Sequence, residues 1–281
     1  MRIRSGWAEI RLRSGLAFWV CELALGTGSG RMMAQQVGPA APAVAQETKP
    51  EISAKERSYL DYEKQEEELR RTDWPNLKRF HDEDEKLGAP VPEEKRVVFM
   101  GDSITQGWAH HGVPPEPADA AKDYVNRGIS GQTTPQMLLR FRQDVIDLKP
   151  AAVVIFAGIN DIAGNTGDMT PEQTEENLAS MADLAKANGI RVVLCSISPV
   201  FDFPWRPGRD PATKIVALNS WIKSYAASHG YVYVDFYSAM VDERGGLPDK
   251  LSKDGVHPNP AGYAIMTPLV DAGIAKALAG N

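Results

Sequence analysis

From Arg96 onward the chain alternates short apolar runs with helical patterns, and this alternation limits the folds open to it more than any other feature. Val97-Val98-Phe99-Met100, Ala152-Val153-Val154-Ile155-Phe156 and Val192-Val193-Leu194-Cys195 are apolar at every position. A strand with one wet face alternates in polarity, whereas a strand apolar throughout is covered on both faces. Tyr124-Val125 and Tyr231-Val232-Tyr233-Val234 bring the predicted strands to five. Helical patterns fill the intervals, over roughly 134–147, 172–188 and 211–228, and a last one runs over about 260–277. Strands separated by helices predict a parallel sheet with helices on both sides, an α/β doubly wound fold. Residues 96–281 suit one domain with its own core. Cys195 falls inside a predicted strand and reads as a buried structural thiol.

Three segments precede this unit. Residues 1–34 set five arginines against two acids, followed by the apolar patch Leu16-Ala17-Phe18-Trp19-Val20-Cys21. Basic then apolar is the order of a secretory signal peptide, although Glu22 interrupts the apolar part. The expectation is export, to a secreted or periplasmic location, with the cytoplasm as the alternative. Residues 35–50 are rich in Ala, Pro and Gln without periodicity and read as a flexible linker. Residues 51–95 read as a helical N-terminal extension. Asp73 is expected to cap a second helix there, with Trp74, Leu77, Phe80 and Leu87 near one face packed on the domain.

Charge and cysteine content exclude several classes. A net charge of −6 supplies no basic footprint for nucleic acid. Two cysteines, Cys21 and Cys195, make neither a disulfide framework nor a four-ligand zinc site. The apolar stretch from Gly15 to Cys21 is far shorter than the roughly 18 residues a membrane span needs, so no integral membrane association is expected.

In open α/β sheets the ligand crevice lies beyond the carboxyl ends of the strands, so chemistry is expected in the segment after each strand. Gly101-Asp102-Ser103-Ile104-Thr105-Gln106-Gly107 comes after the first, and Asn126-Arg127-Gly128-Ile129-Ser130-Gly131-Gln132 spans the end of the second. Ala157-Gly158-Ile159-Asn160-Asp161 comes after the third, and Asp254-Gly255-Val256-His257-Pro258 precedes the last helix. A serine hydroxyl is a poor nucleophile until a base takes its proton, and imidazole does so near neutral pH. Ser103 is the candidate nucleophile and His257 the candidate base. Asp254, three residues before His257, is placed to hold the imidazole tautomer. The backbone N–H groups of Ser103 and Gly131 and the side-chain amide of Asn160 are candidate oxyanion donors. Asp102 is expected to bond backbone, and Asp235, a rival acid, to cap a helix. Arg127 is expected to form an internal ion pair. His81, His110, His111 and His229 lack acidic partners at metal spacing, so no metal ligands are expected.

The four segments, in order, resemble the blocks of the SGNH/GDSL hydrolase superfamily. Ser103, Gly131, Asn160 and His257 fall on its name-giving residues, and Asp254 on the aspartate of its Asp-x-x-His block. The resemblance spans about residues 96 to 277, with Ile104 where Leu is usual. It implies a flavodoxin-like three-layer α/β/α sandwich with a five-stranded parallel sheet. It also implies a serine esterase or acylhydrolase that needs no metal or organic cofactor. The Gly-x-Ser-x-Gly elbow of ordinary α/β-hydrolases is absent from the sequence.

Substrate identity is less legible. Trp108, five residues past Ser103, and Ile159, beside Asn160, are expected to line the acyl or alcohol pocket. Residues 198–207 read as a rim loop whose aromatics, Trp205 among them, suit a sugar face or an apolar acyl chain. No long apolar lid or interfacial amphipathic helix is evident, which disfavours a lipase acting on aggregated fat. A short acyl group, acetyl on a carbohydrate, fits best, and the partner is then a small-molecule or carbohydrate ester. Three alternatives stay open: a lysophospholipid or platelet-activating-factor-like lipid esterase, a carbohydrate O-acetyltransferase using the same serine, and a non-catalytic carbohydrate-binding module.

Overall fold

Val97–Gly101 (β1), Tyr124–Gly128 (β2), Ala152–Phe156 (β3), Arg191–Cys195 (β4) and Val232–Val234 (β5) lie side by side in the order β2-β1-β3-β4-β5, all parallel. The computed structural model describes residues 64–65, 67–91, 95–108 and 123–280. The expected leader and linker, Cys21, the start of the extension and His110-His111 lie outside them. Helices alternate with the strands: His81–Leu87 (α1), Ser103–Trp108 (α2), Thr134–Phe141 (α3), Ile159–Ala163 (α4), Pro171–Ala187 (α5), Pro211–His229 (α6), Phe236–Met240 (α7) and Pro260–Ala279 (α8). Among the described residues, no helix is long and apolar enough to cross a membrane.

Successive strand side chains point to opposite faces, and every position of β1 and β3 is buried. Val98, Met100, Val153, Ile155, Val192 and Leu194 pack on one side with Met137 and Phe141 of α3, Leu178 and Met181 of α5, and Ile215 and Ile222 of α6. Val97, Phe99, Val154, Phe156, Val193 and Cys195 pack on the other with Trp108 of α2 and Met266, Val270 and Ile274 of α8. The expected doubly wound sandwich is therefore present. Its strand order reverses between β1 and β3, the switch point where a crevice opens.

Two element boundaries differ from expectation for identifiable reasons. β2 runs on to Gly128 because its polar residues, Asn126 and Arg127, are engaged by neighbours. Arg127 is 2.5 Å from Asp84 of α1, the internal ion pair expected for it. The helix beginning at Thr134 turns into a π-helical segment over Arg142–Ile146. At that junction Arg140 and Asp144, both without solvent exposure, form an ion pair at 2.8 Å. Removing one partner of such a pair costs roughly 3–5 kcal/mol.

The preceding segment also differs. Residues 67–72 are helical, but Asp73 accepts the N–H groups of Leu77 and Lys78 at 2.8 and 3.0 Å and closes a turn. Asn76 there has φ of 57°, which a helix does not admit, so the next helix starts only at His81. Leu77 is consequently exposed, while Phe80 is buried beneath the Arg127 guanidinium, 4.6 Å from the ring centre. The carbonyls of Trp74, Pro75 and Leu77 accept from Gln136, Gln132 and Gln143. Those bonds seat the segment on the start of α3, within one compact unit with the sheet.

Candidate active site

Ser103 is the first residue of α2, directly beyond the carboxyl end of β1. Asp102 sets that turn: its Oδ1 accepts the Ile104 N–H at 2.9 Å. Burial pushes the Asp102 carboxyl up to about 7, against the lowering effect of that bond. Arg140 reinforces the same end of β1, donating to the Gly101 carbonyl at 3.1 Å and to Gln132 at 2.6 Å.

The Ser103 Oγ lies 3.0 Å from Nε2 of His257, and His257 Nδ1 lies 2.7 Å from Oδ2 of Asp254. In the tautomer with its proton on Nδ1, the imidazole donates to Asp254 and accepts from Ser103. The other Asp254 oxygen accepts the N–H groups of Val256 and His257 at 3.0 and 2.8 Å. Burial opposes the Asp254 charge, but the His257 side chain and these N–H groups outweigh it and hold the carboxyl down at about 2. Asn259 closes the loop: its side chain caps α8 and also donates to the Lys250 carbonyl at 3.0 Å. Tyr263 of α8 donates to the Ile104 carbonyl at 2.8 Å, which ties the helix that follows His257 to the helix that Ser103 begins.

The Gly131 loop is sewn to α2. Asn126 donates to the Thr105 carbonyl at 2.7 Å, and Gln106 accepts the Ser130 N–H at 2.7 Å. Gly128 is required by close approach, since a Cβ there would overlap the Gln106 backbone. Gly131 is required by conformation, with φ of 74°. Asn160 sits in α4 beyond β3, its Nδ2 donating to the Gln132 carbonyl at 3.0 Å. Asn165 donates 2.9 Å to Oδ1 of Asn160 and lies 3.1 Å from the Gly131 carbonyl. That contact fixes which way the Asn160 amide points. Asp161, beside it, accepts from the N–H and hydroxyl of Thr134 at the start of α3. Burial pushes its carboxyl up, opposed by those bonds.

Ser103, His257 and Asp254 are thus in one hydrogen-bonded row, and Gly131 and Asn160 are joined through Asn165 and Gln132. Asp235 caps α7, accepting the Ser238 N–H at 2.9 Å, and takes no part. Trp205 stacks beside His257, ring centroids 6.3 Å apart and planes 27° apart, and is 47% exposed.

Two expected pocket residues are placed elsewhere. Trp108 is 0% exposed and packs edge-on against Phe99 and Phe236, so no substrate reaches it. Five residues of helix turn it about 140° away from Ser103, toward the sheet. Ile159 is buried in the opposite core layer, whereas the side chain of Asn160 beside it is bonded to Gln132 and Asn165. His81 also differs from expectation: it lies 3.2 Å from Asp82 and 3.8 Å from Glu85, partners supplied by its neighbour and by the next helical turn. All three are exposed on α1. Asn165, Arg140 and Tyr263 are invisible to motif reading, as each acts through a partner distant in sequence or through a carbonyl.

Comparison with known proteins identifies the family. The model of the GDSL-like Lipase/Acylhydrolase family matches residues 99–265. A GDSL-like lipase from Bacteroides thetaiotaomicron superposes with a TM-score of 0.70 at 48% identity, over 73% of this chain and 100% of that one. Esterase TesA of Pseudomonas aeruginosa is 34% identical over 172 residues, 58% of this chain and 79% of TesA. An acetylxylan esterase of Xylanibacter ruminicola is 25% identical over 221 residues, 67% of this chain but only 45% of that protein. A match across the whole sheet, with relatives that share one chemistry, places this chain in the GDSL-like lipase/acylhydrolase family, as a carboxylic ester hydrolase.

Proposed function

We propose that the protein is a serine esterase that removes short acyl groups, acetyl above all, from carbohydrate esters through an acyl-serine intermediate. The row from Ser103 through His257 to Asp254, at 3.0 and 2.7 Å, carries this reading. His257 Nε2 takes the Ser103 proton as Oγ attacks the ester carbonyl carbon. The negative charge that develops on the carbonyl oxygen is met by the N–H groups of Ser103 and Gly131 and the Asn160 amide. Collapse breaks the bond to the alcohol, which leaves with the proton from His257. Water then gives a proton to His257, attacks the acyl carbon and releases the acid and free Ser103. Asp254, ionised down to about pH 2, stabilises the imidazolium at both stages.

The acetyl-carbohydrate part is supported by the likeness to an acetylxylan esterase and by Trp205, whose half-exposed ring offers a face beside the base. The basic-then-apolar order of residues 1–34 supports export, which cell fractionation checks. The decisive assay compares 4-nitrophenyl acetate, butyrate and octanoate with wild type and Ser103→Ala. The expected result is fastest turnover of acetate and a loss of on the order of 10³-fold or more in the variant. A preference for octanoate transfers the reading to lipid esters. Equal rates for variant and wild type overturn it.

A further inference from the structure

We infer that the cleft beside Gly131 is a subsite for an anionic group on the substrate, walled in part by the segment that precedes the sheet. The inference rests on the esterase reading, because Gly131 is both a proposed oxyanion donor and part of the cleft wall. The cleft has a volume of about 510 Å³ and is bounded by Arg70 and Trp74 on one side and by Gly131, Gln132, Asn165 and Arg206 on the other. Its only ionisable lining residues, among those described, are the two arginines, in a chain whose net charge is −6.

Neighbouring arginines show how unusual that pair is. Arg71 faces Glu68 at 3.8 Å, and Arg209 faces Asp168 at 2.5 Å. Among the described residues, neither Arg70 nor Arg206 forms an ion pair with a carboxylate. Arg206 is nevertheless held in place, its Nη1 donating to the carbonyls of Ala163 and Gly164 at 3.2 and 2.6 Å. Carbonyls orient the guanidinium without neutralising it. A guanidinium carries five N–H donors in a rigid fork, so donors remain for a carboxylate or phosphate. Arg70 is exposed and supplies a second positive charge from across the cleft. Trp74 adds a half-buried ring to the same wall. An ester whose carbonyl oxygen sits at Gly131 therefore extends a neighbouring substituent between two cations. The substrate class is an acyl ester whose remaining part bears a carboxylate or a phosphate.

The test is the ratio of kcat/KM for 4-acetoxybenzoate to that for its neutral methyl ester, with 4-acetoxyphenyl phosphate as a separate arm. Arg70→Gln changes an exposed side chain and does not put folding at risk; Arg206→Lys keeps a charge but loses the fork. The expected result is that the Arg70→Gln, Arg206→Gln double variant lowers the wild-type ratio by about tenfold, chiefly through KM, as for loss of charge-assisted hydrogen bonds. Each single variant lowers it by less, and about 0.5 M salt lowers the wild-type ratio in the same direction. Lys223→Gln, on the exposed face of α6, leaves the ratio as it is. Whichever anionic arm gains more over the neutral ester identifies carboxylate or phosphate as the group bound. A ratio unmoved by both arginine changes overturns the subsite and leaves the esterase reading standing. Continued hydrolysis of both esters by Ser103→Ala overturns the esterase reading instead.

Discussion

The two sides of the candidate site are built differently. On the side of Gly131 and Asn160, three buried side chains are tied to several elements at once: Asn160 to Gln132 and Asn165, Asp161 to Thr134, Gln132 to Arg140. On the side of the proposed base, Asp254 and His257 have side chains 45% and 42% exposed, on a loop held mainly by its own short-range bonds. An oxyanion hole works only if its donors are aimed before charge develops, so rigidity belongs there. A base must accept and return a proton in each half-reaction, and solvent access lets water enter the second one. The difference shows how one fold supplies a stiff half and an open half around a single serine.

Removing one group from each side, and following both turnover and melting, challenges this difference most strongly. Asp254→Asn is expected to lower kcat by roughly 10²–10⁴ with a smaller loss of Tm than on the buried side, because solvent screens the bonds of a half-exposed carboxylate. Asn160→Ala is expected to lower kcat by about 10²–10³. It should also destabilise by about 1–3 kcal/mol, as the Asn165 amide and Gln132 carbonyl lose their partner. Equal melting losses on the two sides would erase the distinction.

Smaller effects refine the contrast. Asn165→Ala is expected to cost about tenfold in kcat at unchanged KM, the size of one hydrogen bond. Asn165 touches Asn160 and the Gly131 carbonyl, so it acts as a positioning residue. A loss confined to KM would show that it binds substrate instead. Trp205→Ala, at the open side, is expected to change kcat/KM only several-fold, on the order of one exposed ring contact.

The two aspartates give a stability signature with opposite signs. Asp102 is raised from 3.8 to about 7, so the folded state holds its proton more tightly. Its contribution is full below about pH 4 and is lost as pH rises through about 7. Asp254 is lowered from 3.8 to about 2, so its contribution is present above about pH 4 and lost as pH falls toward 2. Tm measured against pH should therefore have a shallower slope between pH 4 and 7 in Asp102→Asn, and only below pH 4 in Asp254→Asn. The reverse assignment would contradict the burial argument.

Much of the fold and site is legible in the sequence because buried parallel strands are apolar throughout and the site segments come directly after them. The strands at Val97, Ala152 and Arg191 appear within a residue of expectation. The edge strand at Tyr124 is harder to read, since Asn126 and Arg127 are polar for reasons of distant partners, Thr105 and Asp84. Nearness in sequence misleads at Trp108 and Ile159, because both side chains are buried in core layers although each lies close in sequence to a site residue. Arg140, fully buried within a helix, bonds to Gly101 across 39 positions of sequence, and no local pattern encodes such a partner.

If the Ser103 hydroxyl attacks only when His257 takes its proton, the two residues act as one unit. A double-mutant cycle on acetate ester hydrolysis, with Ser103→Ala, His257→Ala and the pair, tests this coupling directly. Each single change is expected to cost about as much as both together, on the order of 10³-fold or more. Losses that multiply, so that the pair costs the product of the two single losses, would contradict a shared proton transfer between Ser103 and His257.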